Sequence, residues 1–256
     1  MMEVRGTTGG LIMGLIPRRA RTAFFVSLFL LIFQALAGGL LAQPARAGGP
    51  LTGVKFVVDP GHGGSDPGAV GAGGLREKDV NLRVGLALRD LLEAYGGATV
   101  FLTRDDDTYV DLDSRAALAN TLGANIFISV HHNAVSNPAV NGTETYSRPG
   151  SDPVTRHLRD SVHQELLRFT QLPDRGQHEA NYRVLTRTTM PAILTEASFI
   201  SNPYQEARLR QAEYTFREAL AIYKGVLLHY GRSDLLVTPP DTLKLRDALS
   251  FPLPAW

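Results

Sequence analysis

Apolar residues along this chain switch repeatedly between a strand period and a helix period. Val54 to Val58 is an apolar run broken by one Lys, short enough to predict a buried strand. It ends abruptly in Asp59-Pro60-Gly61, and His62 follows between glycines. Gly61 to Gly74 contains seven glycines and reads as a loop. Leu75 to Lys78 leads into a helix, in which Val80, Leu82, Val84, Leu86, Leu88, Leu91 and Leu92 recur up to Tyr95 before Gly96-Gly97 stops it. Ala98 to Thr103 predicts a second strand. After the acidic turn Asp105 to Asp107, Asp111 or Asp113 caps a helix with the apolar face Leu112, Ala116, Leu118 and Ala119, closed by Gly123. Asn125 to Val130 predicts a third strand, which delivers His131-His132-Asn133 at its end.

The second half continues the alternation. A polar connection, Ser136 to Gly142, precedes a short strand at Thr143 to Tyr146. Asp152 to Phe169 is amphipathic, with Val154, Leu158, Val162, Leu166 and Phe169 on one helical face. Tyr182 to Leu185 reads as strand-like, and Ala192 to Leu194 as a strand running into Thr195-Glu196. Asn202-Pro203 starts a helical region that runs to Tyr230 with a break near Gln211, and Gly231 ends it. Strands alternating with helices predict an α/β fold: a single domain with a mixed, mostly parallel sheet and helices on both faces, in three αβα layers.

The first 47 residues carry a different signal. Arg18, Arg19 and Arg21 precede an apolar run from Ala23 to Ala42, and Ala45-Arg46-Ala47 has the small-x-small form of a processing site. Residues 1–47 are therefore expected to be a signal peptide, with a possible start at Met13 and a mature protein beginning near Gly48. An uncleaved membrane anchor is the competing reading, and in it this segment is the chain's one membrane contact. Residues 52–232 are the expected catalytic domain. Residues 233–256, with Pro239, Pro240, Pro252 and Pro254, form a tail. The product is expected outside the cytoplasm, periplasmic or extracellular. A net charge of +1 gives no global field for nucleic acid. With no cysteine in the chain, thiol nucleophiles and cysteine-ligated zinc are excluded, so any metal rests on histidines and carboxylates.

Three strands deliver candidate ligands at their C-terminal ends, the position where open α/β sheets bind ligands: His62, His131 or His132, and Glu196. Glu77 stands 15 residues after His62, at the start of the first helix. Two histidines and a carboxylate leave one position open on tetrahedral zinc, the catalytic arrangement, and a further carboxylate can then act as general base. Asp59-Pro60-Gly61-His62-Gly63-Gly64, Glu77-Lys78, Ile128-Ser129-Val130-His131-His132-Asn133, and Pro191 to Glu196 with Phe199-Ile200-Ser201-Asn202 resemble, in that order, the zinc-dependent N-acetylmuramoyl-L-alanine amidases, the cell-wall hydrolases of the amidase type 3 family. Asp174-Arg175-Gly176 also resembles a turn of that family. The resemblance covers Val54 to Tyr230. It implies one zinc ion held by His62, Glu77 and His131, a catalytic Glu196, and peptidoglycan as substrate. His132 stands where the family usually carries a small residue, and motif alignment favours His131 as the ligand.

The other residues keep two readings each. Asp59 is either a turn residue or an orienting partner of the metal histidine. Asn133 either contacts substrate or ends its strand, and His132 is a surface or supporting histidine. His157, His163, His178 and His229 are solvated or packing residues, Asp105 to Asp107 a solvated turn, and Glu206, Arg208 and Arg210 an exposed helix face. The competing functions are a zinc peptidase cutting within the stem peptide and an inactive wall-binding module. Some family members plug the site with an extra helix between the second histidine motif and the catalytic glutamate. Here 65 residues separate His131 from Glu196, and the predicted elements account for them. A plug needs a carboxylate over the metal, and of the interval's glutamates, Glu144, Glu165 and Glu179, only Glu179 in its loop has freedom to reach inward. The expectation is an open groove that requires no activator protein.

Overall fold

The computed structural model describes residues 48–236; the leader, its processing site and most of the tail lie outside the described residues. Six strands form one sheet in the order β2-β1-β3-β6-β4-β5. They are β1 (Lys55–Pro60), β2 (Thr99–Leu102), β3 (Ile126–Asn133), β4 (Thr143–Ser147), β5 (Asp174–Glu179) and β6 (Ala192–Phe199). All neighbours run parallel except β4 and β6, which are antiparallel. The helices are α1 (Glu77–Ala94), α2 (Leu112–Leu122), α3 (Pro153–Thr170), α4 (Arg183–Thr186), α5 (Pro203–Leu209) and α6 (Ala212–His229).

Strand side chains alternate between the two faces, so an apolar run is divided between two cores. Phe56, Val58, Ile126, Ile128, Val130, Ile193 and Ala197 enter the larger core, with residues of α1, α3 and α6. Val57, Phe127, Ala192 and Leu194 point the other way, into a smaller core with Ala119, Ala124, Val184 and Leu185. Three long helices therefore cover one face, and the short α2 and α4 cover the other. The mixed sheet and three layers agree with the α/β expectation. Side chains cap three helix starts: Asp111, one of the two expected candidates, accepts from the backbone of Asp113 and Ser114, Asp152 from Thr155 and Asn202 from Gln205.

The structure differs from the sequence expectations at several elements. Tyr182 to Leu185 is not a strand. Tyr182 caps α4, whose Leu185 and Thr186 amides return to its carbonyl, and Val184 and Leu185 both enter the smaller core. Two adjacent buried residues suit a helical turn; in a strand they would face opposite ways. Asp174 to Glu179, read in part as a turn, is the edge strand β5, and its exposure removes the apolar alternation that identifies strands. The third strand does not end at Val130, because its ladder with β6 carries on through His131↔Glu196 to Asn133↔Phe199. Leu112 and Val154, both in helix first turns, are about half exposed and belong to no core.

Candidate metal centre and catalytic cleft

His62 leaves β1 with φ 63°, a left-handed conformation uncommon outside glycine. Two buried arginines over-determine this bend. Arg104 donates to the carbonyls of Pro60 and Gly61, each at 2.8 Å, and Arg115 to those of Pro60 at 2.8 Å and His62 at 2.7 Å. The glycines around the bend make room for the site. A side chain on Gly61 would collide with the His131 ring, and one on Gly68 would lie 2.6 Å from both Glu77 Oε2 and His62 Cδ2.

The bend and the first turn of α1 bring His62, Glu77 and His131 together, with one donor atom of each within 4.8 Å of the others. His62 Nε2 lies 3.1 Å from Glu77 Oε2, and His131 Nδ1 3.0 Å from Glu77 Oε1. The two rings meet edge to face at 4.9 Å. Asp66 Oδ2, 2.8 Å from His62 Nδ1, leaves Nε2 turned toward Glu77. Glu77 also accepts from the backbone of Ala69 (2.9 Å) and His132 (3.2 Å) and from Asn81 Nδ2 (3.2 Å). Burial alone would raise the Glu77 pKa, but His131 and His62 outweigh it and hold the carboxyl well below its usual range. For His62, burial works to lower the pKa, and the carboxylates of Glu77 and Asp66 raise it. Two imidazoles and an ionised carboxylate form a donor set that zinc takes, and it leaves a position open.

Strand alternation, taken to the true end of β3, separates the two adjacent histidines. Val130 and His132 point to the large-core face, and His131 points to the thinly covered face with Glu196, its register partner on β6. A cleft on that face is lined by His62, His131, Glu196, Asp66, Tyr109 and Tyr182, among others. Glu196 Oε2 is buried and has no hydrogen-bond partner. Burial and the nearby carboxylates of Glu77, Glu144 and Glu218 raise its pKa well above the ordinary glutamate value. A carboxylate whose pKa is raised is a stronger proton acceptor than an ordinary glutamate.

The remaining candidates are placed elsewhere. Asp59 is wholly buried and bonds to Thr103, Ser129 and Arg115, not to a histidine ring; it reaches the bend through Arg115. Asn133 donates to Glu144 at 2.8 Å. His132 is not a surface residue: it is 1% exposed and packs toward α6. His163 is buried against Thr145 and Asp174, and His157 pairs with His229 at the surface. The acidic turn is more than solvated, since Asp107 accepts from Gly64 N and Lys78 Nζ.

Glu206 is buried rather than part of an exposed face. It accepts from Gly73 N at 2.8 Å and Leu75 N at 3.0 Å, clamping the glycine loop ahead of Glu77. No spacing rule connects Glu206 with a loop more than 130 residues earlier. Asn81, by contrast, carries a local signal, because it stands one helical turn after Glu77.

The N-acetylmuramoyl-L-alanine amidase family matches residues 56–227. The chain is 43% identical over 162 residues to the N-acetylmuramoyl-L-alanine amidase CwlM of Bacillus licheniformis, covering 63% of this chain and 62% of that protein. It thus spans under two thirds of that relative's length. Among solved structures, the amidase AmiC2 of Nostoc punctiforme superposes with a TM-score of 0.65 at 38% identity, covering 70% of this chain and 98% of that one. The CwlD amidase from Clostridioides difficile, solved in complex with the GerS lipoprotein, does so at 0.65 and 29% identity, covering 70% and 98%.

Proposed function

The chain belongs to the N-acetylmuramoyl-L-alanine amidase family, and on that premise we propose that it hydrolyses the amide bond between N-acetylmuramic acid and L-alanine in peptidoglycan, for wall remodelling or cell separation. The observation that carries this reading is one face of one cleft. His62 and His131, whose donor atoms cluster with that of Glu77, line it together with Glu196, whose buried oxygen has no partner. His62, Glu77 and His131 would hold one zinc ion, which supplies a water of lowered pKa and polarises the scissile carbonyl. Glu196 takes the water's proton and returns it to the leaving amine of L-alanine. Arg104 and Arg115 keep His62 aimed into the cleft. No serine or cysteine nucleophile is required.

Mass spectrometry of digested wall tests this reading. The expected products are free stem peptides beginning with L-alanine and glycan strands that retain the lactyl group. Their formation stops with a chelator and returns with zinc. Peptides cut internally would replace the amidase reading with the peptidase one, and an absence of new fragments would leave a wall-binding module.

Residues 1–47 fit an export leader, cleaved after Ala47 or retained as an anchor, and with a wall substrate this supports an activity outside the cytoplasm, at the wall. No helix among the described residues is long and apolar enough to cross a membrane. We also expect activity without an activator. Between β3 and β6 the described residues form only β4, α3, β5 and α4. The three glutamates of that interval are engaged: Glu144 with Arg175, Tyr146 and Asn133, Glu165 with Arg168, and Glu179 with Gly150 N. Purified residues 48–236, loaded with zinc, should release dye from labelled peptidoglycan unaided. Silence until a partner protein is added would reverse that expectation.

A further inference from the structure

Behind the metal cluster, on the large-core side of the sheet, lies a second polar chain that the proposed reaction leaves unused. Glu218 on α6 is wholly buried, and its Oε2 lies 3.1 Å from His132 Nε2. His132 Nδ1 lies 2.8 Å from Asn81 Oδ1. Asn81 Nδ2 faces Gly61 O at 3.3 Å and Glu77 Oε1 at 3.2 Å. A buried carboxylate and a buried imidazole inside an apolar core are costly to keep, and replacement by apolar groups of like volume is often neutral or stabilising. Their retention calls for a reason beyond packing.

Hydrogen-bond chemistry fixes the direction of this chain. Both neighbours of Asn81 Nδ2 are acceptors, a carbonyl and a carboxylate, so Nδ2 is the donor there and Oδ1 must turn to His132. His132 Nδ1 therefore carries hydrogen. The single proton on the His132–Glu218 line sits on Nε2 or on the carboxyl, and either placement leaves Nδ1–H directed at Asn81. Glu218 thus holds the ring, the ring holds the Asn81 amide, and the amide holds Glu77 Oε1 on the bend. The backbone of His132 donates to the same oxygen at 3.2 Å.

We propose that Glu218, His132 and Asn81 form a positioning chain that sets the orientation of Glu77 for its metal from the far side of the sheet. The proposal rests on the zinc reading above. It assigns positioning roles to three residues, none of which touches the metal or the substrate. Partners of metal ligands of this kind are typically worth about 10–100-fold in metal affinity.

The test is zinc affinity by chelator competition, with thermal melts and the visible spectrum of the cobalt-substituted protein. Glu218→Ala and Asn81→Ala should each weaken zinc about 10–100-fold and alter the cobalt spectrum. Glu218→Gln should stay near the parent, because its amide can donate to His132 Nε2 and keep the hydrogen on Nδ1. The double variant Glu218→Ala/Asn81→Ala should be no weaker than Asn81→Ala alone, since both act through one chain. If Glu218→Ala does not fold, Glu218→Met, which retains the volume, replaces it with the same expectation. Parent-like affinity in the folded Ala or Met variant, equal losses in Gln and Ala, or additive losses in the double variant would each overturn the proposal. A parent that takes up no zinc overturns both this and the functional reading. A parent that binds zinc alongside unaffected variants overturns this one alone.

Discussion

Replacing Glu196 with Gln lowers kcat by about 10²–10⁴-fold, the usual contribution of a positioned general base, and leaves bound zinc at one per chain. The separation of these effects follows from placement. Glu196 is outside the His62–Glu77–His131 cluster but shares its cleft, one strand across from His131. Gln is nearly isosteric, so packing in β6 is preserved, yet its amide cannot accept and return a proton. Gln also removes a buried carboxyl that Glu77, Glu144 and Glu218 resist ionising. Its thermal stability should therefore equal or exceed the parent's, with activity lost, a combination that a structural role would not produce. Steady-state kinetics on purified wall, metal analysis and a melt make the comparison. A variant retaining more than a tenth of parental kcat would remove Glu196 from the reaction, and one that loses zinc would make it a ligand.

Much of this arrangement was legible in the sequence because its signals are local. β1, α1 and β6 announce themselves by period and punctuation: His62 follows β1 and Glu77 opens α1, whereas Glu196 lies inside β6, which runs on to Phe199. With a third strand ending at Val130, as the apolar run suggests, only motif alignment separates His131 from His132. Its continuation to Asn133 extends period-two alternation through both and puts the two rings on opposite faces. Long-range partners carried no local signal. Glu206 grips a loop far earlier in the chain, Glu218 reaches His132 from α6, and Arg115 looks like a solvated residue on a short amphipathic helix. Exposure hid β5, because an edge strand without an apolar face has no pattern to read.

Arg115→Leu should cost about 3–5 kcal/mol of stability, the usual consequence of removing one partner from a buried ion pair. Arg115 and Asp59 are almost fully buried and 2.7 Å apart. Leu fills much of the volume but leaves Asp59 charged with only Thr103 and Ser129 as donors, strips the His62 and Val110 carbonyls of theirs, and leaves Pro60 O with Arg104 alone. The loss should depend on pH. In the parent, burial works to raise the Asp59 pKa, but Arg115 and the three side-chain hydrogen bonds together bring it below the ordinary 3.8. A depressed carboxyl stabilises the fold above its unfolded pKa, and that contribution drains away as pH falls through the folded value. Without Arg115, burial is opposed only by Thr103 and Ser129, so the variant relieves its penalty by taking up a proton. The gap between parent and variant should thus be widest near neutrality and close toward pH 3. Denaturant unfolding across that range measures it. Asp59→Asn/Arg115→Leu should be more stable at neutral pH than Arg115→Leu alone, because it removes the stranded charge. If the double variant is no better, the cost lies in the unpaired carbonyls of the His62 bend. Zinc affinity should then fall in both variants alike, since the left-handed turn that aims His62 into the cleft is held from those same oxygens.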